Sequence, residues 1–170
     1  MLSKKINDAL NKQMNKEFHA AYTYLATASY FEQEELGGFA NFFRIQAQEE
    51  VQHAMKFFDY LHQVNGKPVL TAIDTPTSEF SSPLQAFEVS LANETKLAKD
   101  ISEMFSFATT EGHAPTQIFL QWFINEQVEE EALFTRCIKR LKLVGKDATG
   151  LLTLDKEFSE RTLDTAAAAE

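Results

Sequence analysis

Apolar residues recur along four long stretches of the chain at alternating steps of four and three residues. This spacing is typical of the buried face, or seam, of an amphipathic α-helix. Glycine, proline and capping residues separate the stretches and mark where helices begin and end. The pattern therefore predicts four long helices and a short fifth one, α1 to α5, over residues 3–33, 39–65, 82–111, 115–145 and 151–161.

The connections between the predicted helices differ in length. Only a few residues join α1 to α2 and α3 to α4, so each pair is expected to pack as antiparallel neighbours. Residues 66–82 form a connection of 17 residues, which spans about 56 Å when extended. A helix of about 28 residues is about 42 Å long, so this connection can run the full length of a bundle.

These lengths predict an all-α fold in a single domain covering residues 1–170. The four-helix bundle occupies about residues 3–145, with one long crossover between α2 and α3. The fifth helix follows, and residues 162–170 form an alanine-rich tail that we expect to fray.

A carboxylate interrupts the apolar seam near the middle of each long helix. The four acids are Glu17, Glu50, Glu94 and Glu130. Folding would bring them, together with His53 and Gln127, to one level of the interior. A buried, isolated carboxylate costs several kcal/mol, and like charges at close range raise one another's pKa. Two divalent cations would balance the four negative charges, so the pattern predicts a dinuclear metal site.

The spacing Glu50-x-x-His53 places an oxygen and a nitrogen donor on one face of a helix, one turn apart. This short motif alone is weak evidence, because chance matches are frequent in acidic helices. Carboxylates with one imidazole suit Fe(II), Mn(II) or Zn(II). Ligands rich in oxygen favour redox chemistry with dioxygen, although the spacing alone leaves Zn(II) open.

Composition narrows the classes of partner. The chain has 16 lysines and arginines against 25 aspartates and glutamates, a formal net charge of −9. Because the sequence has no cluster of lysines and arginines to bind phosphates, we expect no nucleic-acid partner. No apolar run approaches the roughly 18 residues of a membrane span, and the N-terminus lacks a secretory signal, so we expect no membrane partner. The single cysteine, Cys137, excludes an intrachain disulfide and suits a reducing, cytoplasmic location.

Several local sequences resemble those of the non-haem bacterial-type ferritins. They are QEEVQH at residues 48–53, FLQWF at 119–123, EQVEEE at 126–131 and GLL at 150–152. The likeness covers nearly the whole chain and includes the lengths and order of the helices. It implies a ferritin-like fold and a homo-oligomeric shell of 24 subunits. It also implies oxidation of Fe(II) to Fe(III) by dioxygen or hydrogen peroxide at a dinuclear ferroxidase centre, with storage of ferric mineral inside the shell.

The same resemblance assigns residues to the iron sites. It implies that Glu17, Glu50 and His53 bind the first iron, and that Glu50 bridges to a second iron held by Glu94 and Glu130. Two further residues are candidates for a catalytic role. They are Gln127, beside the second metal, and Tyr24, a tyrosine able to donate a hydrogen bond or an electron. A third iron site would use Glu49, Glu126 and Glu129 together with Glu130.

The chain departs from the haem-containing bacterioferritins. Val51 stands where those proteins carry a haem-ligating methionine, and Gln127-x-x-Glu130 replaces their second E-x-x-H motif. We therefore expect no haem. The short fifth helix needs a partner for its apolar face, which carries Leu151, Leu152, Leu154 and Phe158. The resemblance implies that this partner is a contact around a four-fold axis of the shell.

Two other functions remain open at this stage. A dinuclear peroxidase or oxygenase would use the same ligands on a separate substrate without storing iron. A metal-free helical scaffold would keep its interior acids protonated. The amount of iron bound per subunit distinguishes the first alternative from storage, because storage requires far more iron than the sites can hold. A rise in stability on adding metal would distinguish a metal site from the second alternative.

Overall fold

The computed structural model describes residues 2–163. In that part of the chain the helices are α1 (Lys4–Gln33), α2 (Gly37–Gln63), α3 (Pro83–Thr110), α4 (Ala114–Val144) and α5 (Ala148–Ser159). The predicted all-α fold, a four-helix bundle with a long crossover and a short fifth helix, is confirmed. Of the predicted tail, residues 164–170 lie outside the described part of the chain. No helix within residues 2–163 combines the length and the hydropathy needed to cross a membrane.

Local capping explains where α1 and α3 begin. The Ser3 hydroxyl accepts a hydrogen bond from the Ile6 N–H at 3.2 Å. The Ser82 hydroxyl does the same for the Gln85 N–H at 3.2 Å, and Pro83 occupies the first turn. These bonds satisfy N–H groups that have no partner within the helix.

Two helices begin earlier than predicted. The fifth begins at Ala148, three residues before the predicted start, and α2 begins at Gly37. Gly150 lies in the first turn of α5 and does not separate that helix from what precedes it. Asp147 explains this difference, because its carboxylate accepts hydrogen bonds from Thr149 N and Gly150 N, both at 3.1 Å. A good N-cap therefore outweighs the low helix propensity of glycine.

The hydrophobic core is divided into two clusters, one near each end of the bundle. The first combines the C-terminal half of α1 with the N-terminal halves of α2 and α3, and includes Phe31, Phe43 and Phe87. The second combines the opposite halves and includes Leu10 and Phe57. The interrupted seams meet between the clusters, so a buried polar layer separates two well-packed apolar regions.

The crossover, residues 64–82, is attached to α1 by a ladder of asparagines. Asn7, Asn11 and Asn15 lie four residues apart on one face of α1, and they pair with every second residue of the crossover. Four residues of helix rise about 6 Å, and two extended residues span about 6.6 Å, so the two spacings match. The hydrogen bonds are Lys67 N to Asn7 Oδ1 (3.1 Å), Asn11 Nδ2 to Lys67 O (2.9 Å), Val69 N to Asn11 Oδ1 (2.6 Å), Asn15 Nδ2 to Val69 O (2.8 Å) and Thr71 N to Asn15 Oδ1 (2.9 Å).

The fifth helix packs against the chain's own bundle. Leu154 and Phe158 are buried in the first cluster, and the Phe158 ring lies 5.0 Å from that of Phe39 between centroids. Packing within the chain therefore already buries these two side chains, and the expected four-fold contact stays a prediction for the rest of the helix. Leu152 remains 61% exposed and stays available for a subunit contact.

Gly38 allows the close approach of α5 to α2. A Cβ atom at this position would lie 1.7 Å from the Asp155 backbone oxygen. The Asp155 carboxylate accepts a hydrogen bond from Phe39 N at 2.8 Å. It thereby caps the start of α2, where Leu36 offers no side-chain cap.

The variant Gly38→Ala is expected to displace α5 and destabilise the protein by about 1–3 kcal/mol, because the added methyl group overlaps a backbone atom. Thermal unfolding measures the change, and tryptic cleavage at Lys156 reports the release of α5. Gly37→Ala is the matched control, because nothing lies within 4 Å of its Cβ position. Equal melting temperatures for the two variants would contradict the role given to Gly38.

Candidate metal centre

The structure buries the six polar residues that the sequence predicts to meet at one level of the interior. Each of these residues is at most 4% exposed, and together they form a buried polar layer to which four helices contribute. The residues are Glu17 from α1, Glu50 and His53 from α2, Glu94 from α3, and Gln127 and Glu130 from α4. The four acids are therefore buried in the interior of the bundle, as the sequence pattern predicts.

Three of these residues form a compact group. One ligand atom each from Glu17, Glu50 and His53 lies within 4.8 Å of the others, and within residues 2–163 no other trio of histidine, cysteine or acidic side chains does so. The trio contains the donors predicted for the first iron. One carboxylate and a carboxylate–imidazole pair one turn apart form an oxygen-rich donor set that suits a divalent transition metal.

Glu50 carries an unsatisfied acceptor. Its Oε1 atom is buried and accepts no hydrogen bond from the residues that the structure describes. Burial, followed by the charge of the adjacent Glu50, raises the pKa of Glu17 well above its usual value, so these two carboxyls repel each other when both are ionised. A bound cation would satisfy both carboxylates, so the donor atoms of the trio fit a metal ion.

His53 is held between two acids and two aromatic rings. Its Nδ1 atom lies 3.3 Å from Glu50 Oε2, and its Nε2 atom lies 3.8 Å from Glu126 Oε1. Its ring meets Trp122 and Phe123 edge-on, with centroids 5.6 and 6.0 Å away. This packing restricts rotation of the imidazole and keeps its nitrogens directed at carboxylates.

Glu94 and Glu130 are held by side-chain hydrogen bonds. Gln127 Nε2 donates to the Glu94 carboxylate at 3.1 Å and to its backbone oxygen at 3.2 Å. Gln46 Nε2 donates to Glu130 Oε2 at 2.9 Å. The two acids do not form a second trio with Glu50 at the 4.8 Å spacing among residues 2–163.

Two glutamines of the layer have roles that the sequence did not reveal. Gln46 orients Glu130, and Gln13 Nε2 donates to Glu17 Oε1 at 2.7 Å. Both residues lie on the predicted seams, four residues before an acid. The sequence did offer a signal for these roles, because a polar residue on an otherwise apolar seam is expected to need a buried hydrogen-bond partner.

Tyr24 is buried beside the layer, and its hydroxyl donates a hydrogen bond to Glu94. Its ring stacks on Phe134, with centroids 5.9 Å apart. Burial, followed by the nearby Glu94 charge, raises the pKa of the Tyr24 hydroxyl well above its usual value. The phenol therefore keeps its proton and acts as a donor that orients Glu94.

Burial raises the pKa of every acid in the layer. For Glu17 and Glu50 the rise is large, and like charges add to it: Glu50 acts on Glu17, while Glu94 acts on Glu50. Burial also raises the pKa of Glu94, and together with the Glu94 charge it raises that of Glu130 to about 8. The metal-free layer therefore retains protons that a cation would displace.

The residues predicted for a third site lie around one cavity of about 210 Å³. Glu49 and His53 line it from α2, and Glu126, Glu129 and Glu130 line it from α4. Glu49 and Glu126 are partly buried, whereas Glu129 is exposed. Burial raises the pKa of Glu49, and Arg161 opposes that rise. The cavity thus adjoins the trio through His53.

The fold and site define a four-helix-bundle protein whose interior carries a carboxylate and histidine group able to hold a metal ion. The family model described as the ferritin-like domain matches residues 7–144. The chain belongs to the ferritin family.

Relatives and solved structures resemble this chain over nearly its whole length. The bacterial non-heme ferritin of Staphylococcus saprophyticus is 41% identical over 164 residues, which cover 96% of this chain and 98% of that protein. The bacterial non-heme ferritin of Staphylococcus aureus is 40% identical, covering 96% and 99%. An open-pore ferritin of the archaeon Archaeoglobus fulgidus superposes with a TM-score of 0.95 at 45% identity, covering 95% of this chain and 99% of that one. An engineered closed form of the same ferritin gives a TM-score of 0.95 at 45% identity, covering 96% and 100%.

Glu130 predicts a pH dependence of the metal-free protein. Its pKa is raised to about 8 in the folded state. Its contribution to stability is therefore complete below the pKa of the unfolded chain, near 4.3, and disappears as the pH rises through about 8. The apparent melting temperature of metal-free protein should fall between pH 5 and pH 8.

The variant Glu130→Gln cannot ionise at this position, so its melting temperature should fall less over the same pH range. Glu129→Gln, an exposed neighbour on α4, is the matched control and should keep the parent slope. Identical slopes for all three proteins, measured by calorimetry after chelation, would contradict the protonated state assigned to Glu130.

Proposed function

We propose that this protein stores iron and oxidises Fe(II) as it does so. The observation that carries the proposal is the buried trio of Glu17, Glu50 and His53, with an unsatisfied Glu50 oxygen, in a chain of the ferritin family. The substrates are Fe(II) and dioxygen, or hydrogen peroxide. In the dioxygen reaction two Fe(II) ions each lose one electron, and dioxygen takes both electrons and two protons to become hydrogen peroxide.

The trio supplies the first iron site. The carboxylates of Glu17 and Glu50 neutralise the charge of the ion, and His53 adds a nitrogen donor. His53 is held by Trp122 and Phe123, so the nitrogen donor is in position before the ion arrives. Preorganised ligands reduce the reorganisation that binding would otherwise require.

The second iron would share Glu50 and use Glu94 and Glu130. Both residues are buried, and each acts electrostatically on Glu50. Gln127 and Gln46 orient the two acids by hydrogen bonds, and Gln127 also lies beside this position. Two divalent ions would neutralise the four acids of the layer and release the protons that they hold.

Tyr24 orients Glu94 through its hydroxyl and is the nearby residue able to give up an electron. Its contact with Glu94 supports the orienting role. The cavity beside His53 is the third iron position, with Glu49, Glu126 and Glu129 around it together with Glu130. The centre thus comprises two principal ions and a third adjacent one, without haem.

The shell is proposed as a homo-oligomer of 24 subunits in the cytoplasm. Large apolar side chains remain exposed on the monomer and support extensive subunit contacts, with Leu143 at 89% and Ile118 at 73% exposure. Exposed apolar surface of this kind marks protein interfaces. The named relatives are bacterial non-heme ferritins, which supports storage over a peroxidase or oxygenase without a mineral core.

Aerobic loading with Fe(II) should leave far more iron in the assembly than the three ions per subunit that the sites can hold. Size-exclusion chromatography with an iron assay measures size and loading together. A shell of 24 subunits of 19.3 kDa would elute with a mass of about 460 kDa. Iron that stops at two or three ions per subunit would instead favour a dinuclear peroxidase or oxygenase.

The variants Glu17→Ala and His53→Ala should assemble normally but slow the rapid phase of Fe(II) oxidation by about tenfold or more, because each removes a first-site ligand. Stopped-flow absorbance measures that phase. His62→Ala is the matched control, an exposed histidine at the end of the same helix as His53. Traces that match the parent in both ligand variants would refute the assignment.

A further inference from the structure

Arg161 connects the end of α5 with the cavity beside the trio. It lies two residues after α5 ends, and its Nη2 atom donates to Glu49 Oε2 at 2.8 Å. The pair is largely shielded, with side-chain exposures of 22% for Arg161 and 17% for Glu49. Both residues line the cavity that contains Glu126, Glu129 and Glu130.

The backbone and ring contacts of Arg161 hold it in this position. Asn41 Nδ2 donates to the backbone oxygens of Phe158 and Arg161, at 3.2 and 3.1 Å. The guanidinium lies over the Phe42 ring, 4.5 Å from its centroid. The arginine is thus directed at Glu49 by α2 itself, and its position is not a chance surface conformation.

The guanidinium is only partly satisfied there. Its Nη1 atom is buried and donates no hydrogen bond within residues 2–163. A buried donor without an acceptor is unfavourable, because it has lost its hydrogen bonds to water and gained none in return. Moving the side chain into water would lose the Glu49 ion pair and the Phe42 contact, but it would hydrate Nη1. Because this gain partly offsets those losses, a competing cation could displace the Arg161 side chain from Glu49.

We propose that Arg161 is a tethered cation that competes with a divalent metal ion for the Glu49 carboxylate. This inference rests on the proposed third site. When that site is empty, Arg161 neutralises Glu49; when an ion binds, the arginine leaves and the chain after α5 is released. The guanidinium therefore lowers third-site affinity and links its occupancy to the C-terminal end of α5.

This competition is reciprocal. If Arg161 weakens metal binding at Glu49, metal binding weakens the Arg161 contact by the same factor. The first and second ions do not use Glu49, the carboxylate that Arg161 contacts, so their affinities should be unaffected. Arg161 is thus a positioning residue that sets how readily an ion occupies or leaves the cavity.

The variant Arg161→Gln tests the competition in the full assembly. Anaerobic calorimetric titration with Fe(II), repeated with Zn(II), measures each binding step without oxidation. The third step should strengthen by about fivefold or more, while the first two steps stay at parent values. Arg161→Lys keeps a positive charge without the planar fork and should give an intermediate affinity.

Arg140→Gln is the matched control. Arg140 pairs with Glu157 and also connects α4 to α5, but the pair is about half-exposed and Arg140 is outside the cavity lining. Its titration should match the parent. A third step strengthened equally in Arg140→Gln and Arg161→Gln would overturn the inference, because general loosening of α5 would then explain both.

Tryptic cleavage after Arg161 gives a second readout on the unmodified chain. Anaerobic loading with Zn(II) beyond two ions per subunit should speed cleavage at Arg161, detected by mass spectrometry, while cleavage at Lys156 stays constant. No change at Arg161 on loading the third site would overturn the inference.

The titrations also distinguish a failure of the role given to Arg161 from the absence of a third site. Three ions in both parent and Arg161→Gln, with equal third affinities, would overturn the role of Arg161 and leave the third site in place. Two ions in both proteins would remove the third site and the inference together. Two ions in the parent and three in the variant would support the competition.

Discussion

Four glutamates from four helices share one buried layer, and their mutual repulsion is the constraint around which the rest of the bundle is organised. Removing carboxylates from water is unfavourable, and placing like charges together adds to the cost. Protons satisfy the metal-free layer, as the raised pKa values of Glu50 and Glu130 indicate. Divalent ions would satisfy it without protonation. The layer therefore lowers the stability of the fold, and the apolar packing elsewhere must offset that cost.

The two hydrophobic clusters provide this packing and hold the layer at a defined level. On one side, phenylalanines such as Phe43 and Phe134 pack around Tyr24; on the other, Phe123 packs against His53. Because these side chains contact the polar residues directly, the apolar regions also restrict the orientation of Tyr24 and His53. Glutamine amides complete the arrangement by hydrogen bonding to the acids. The layer is thus positioned by both its neighbours in the core and its own hydrogen bonds.

The fifth helix and the residue Arg161 after it contact two separate parts of α2. Asp155 of α5 caps the start of α2. Arg161, two residues after α5 ends, donates a hydrogen bond to Glu49, which also lies in α2. The α5 segment therefore contributes to both the packing and the electrostatics of α2. The close approach depends on Gly38, since any side chain there would overlap the α5 backbone.

The sequence by itself determined the helices, the long crossover and the depth of Glu17, Glu50, Glu94 and Glu130, because helical periodicity and breakers act over a few residues. It placed Gln46 on a seam, but the partner of that residue depends on how α2 meets α4. Tertiary structure alone decided that Asp155 caps a helix 116 residues away and that Arg161 pairs with Glu49 across 112 residues. Such contacts have no local periodicity: they arise only when docked helices bring distant side chains within hydrogen-bonding distance.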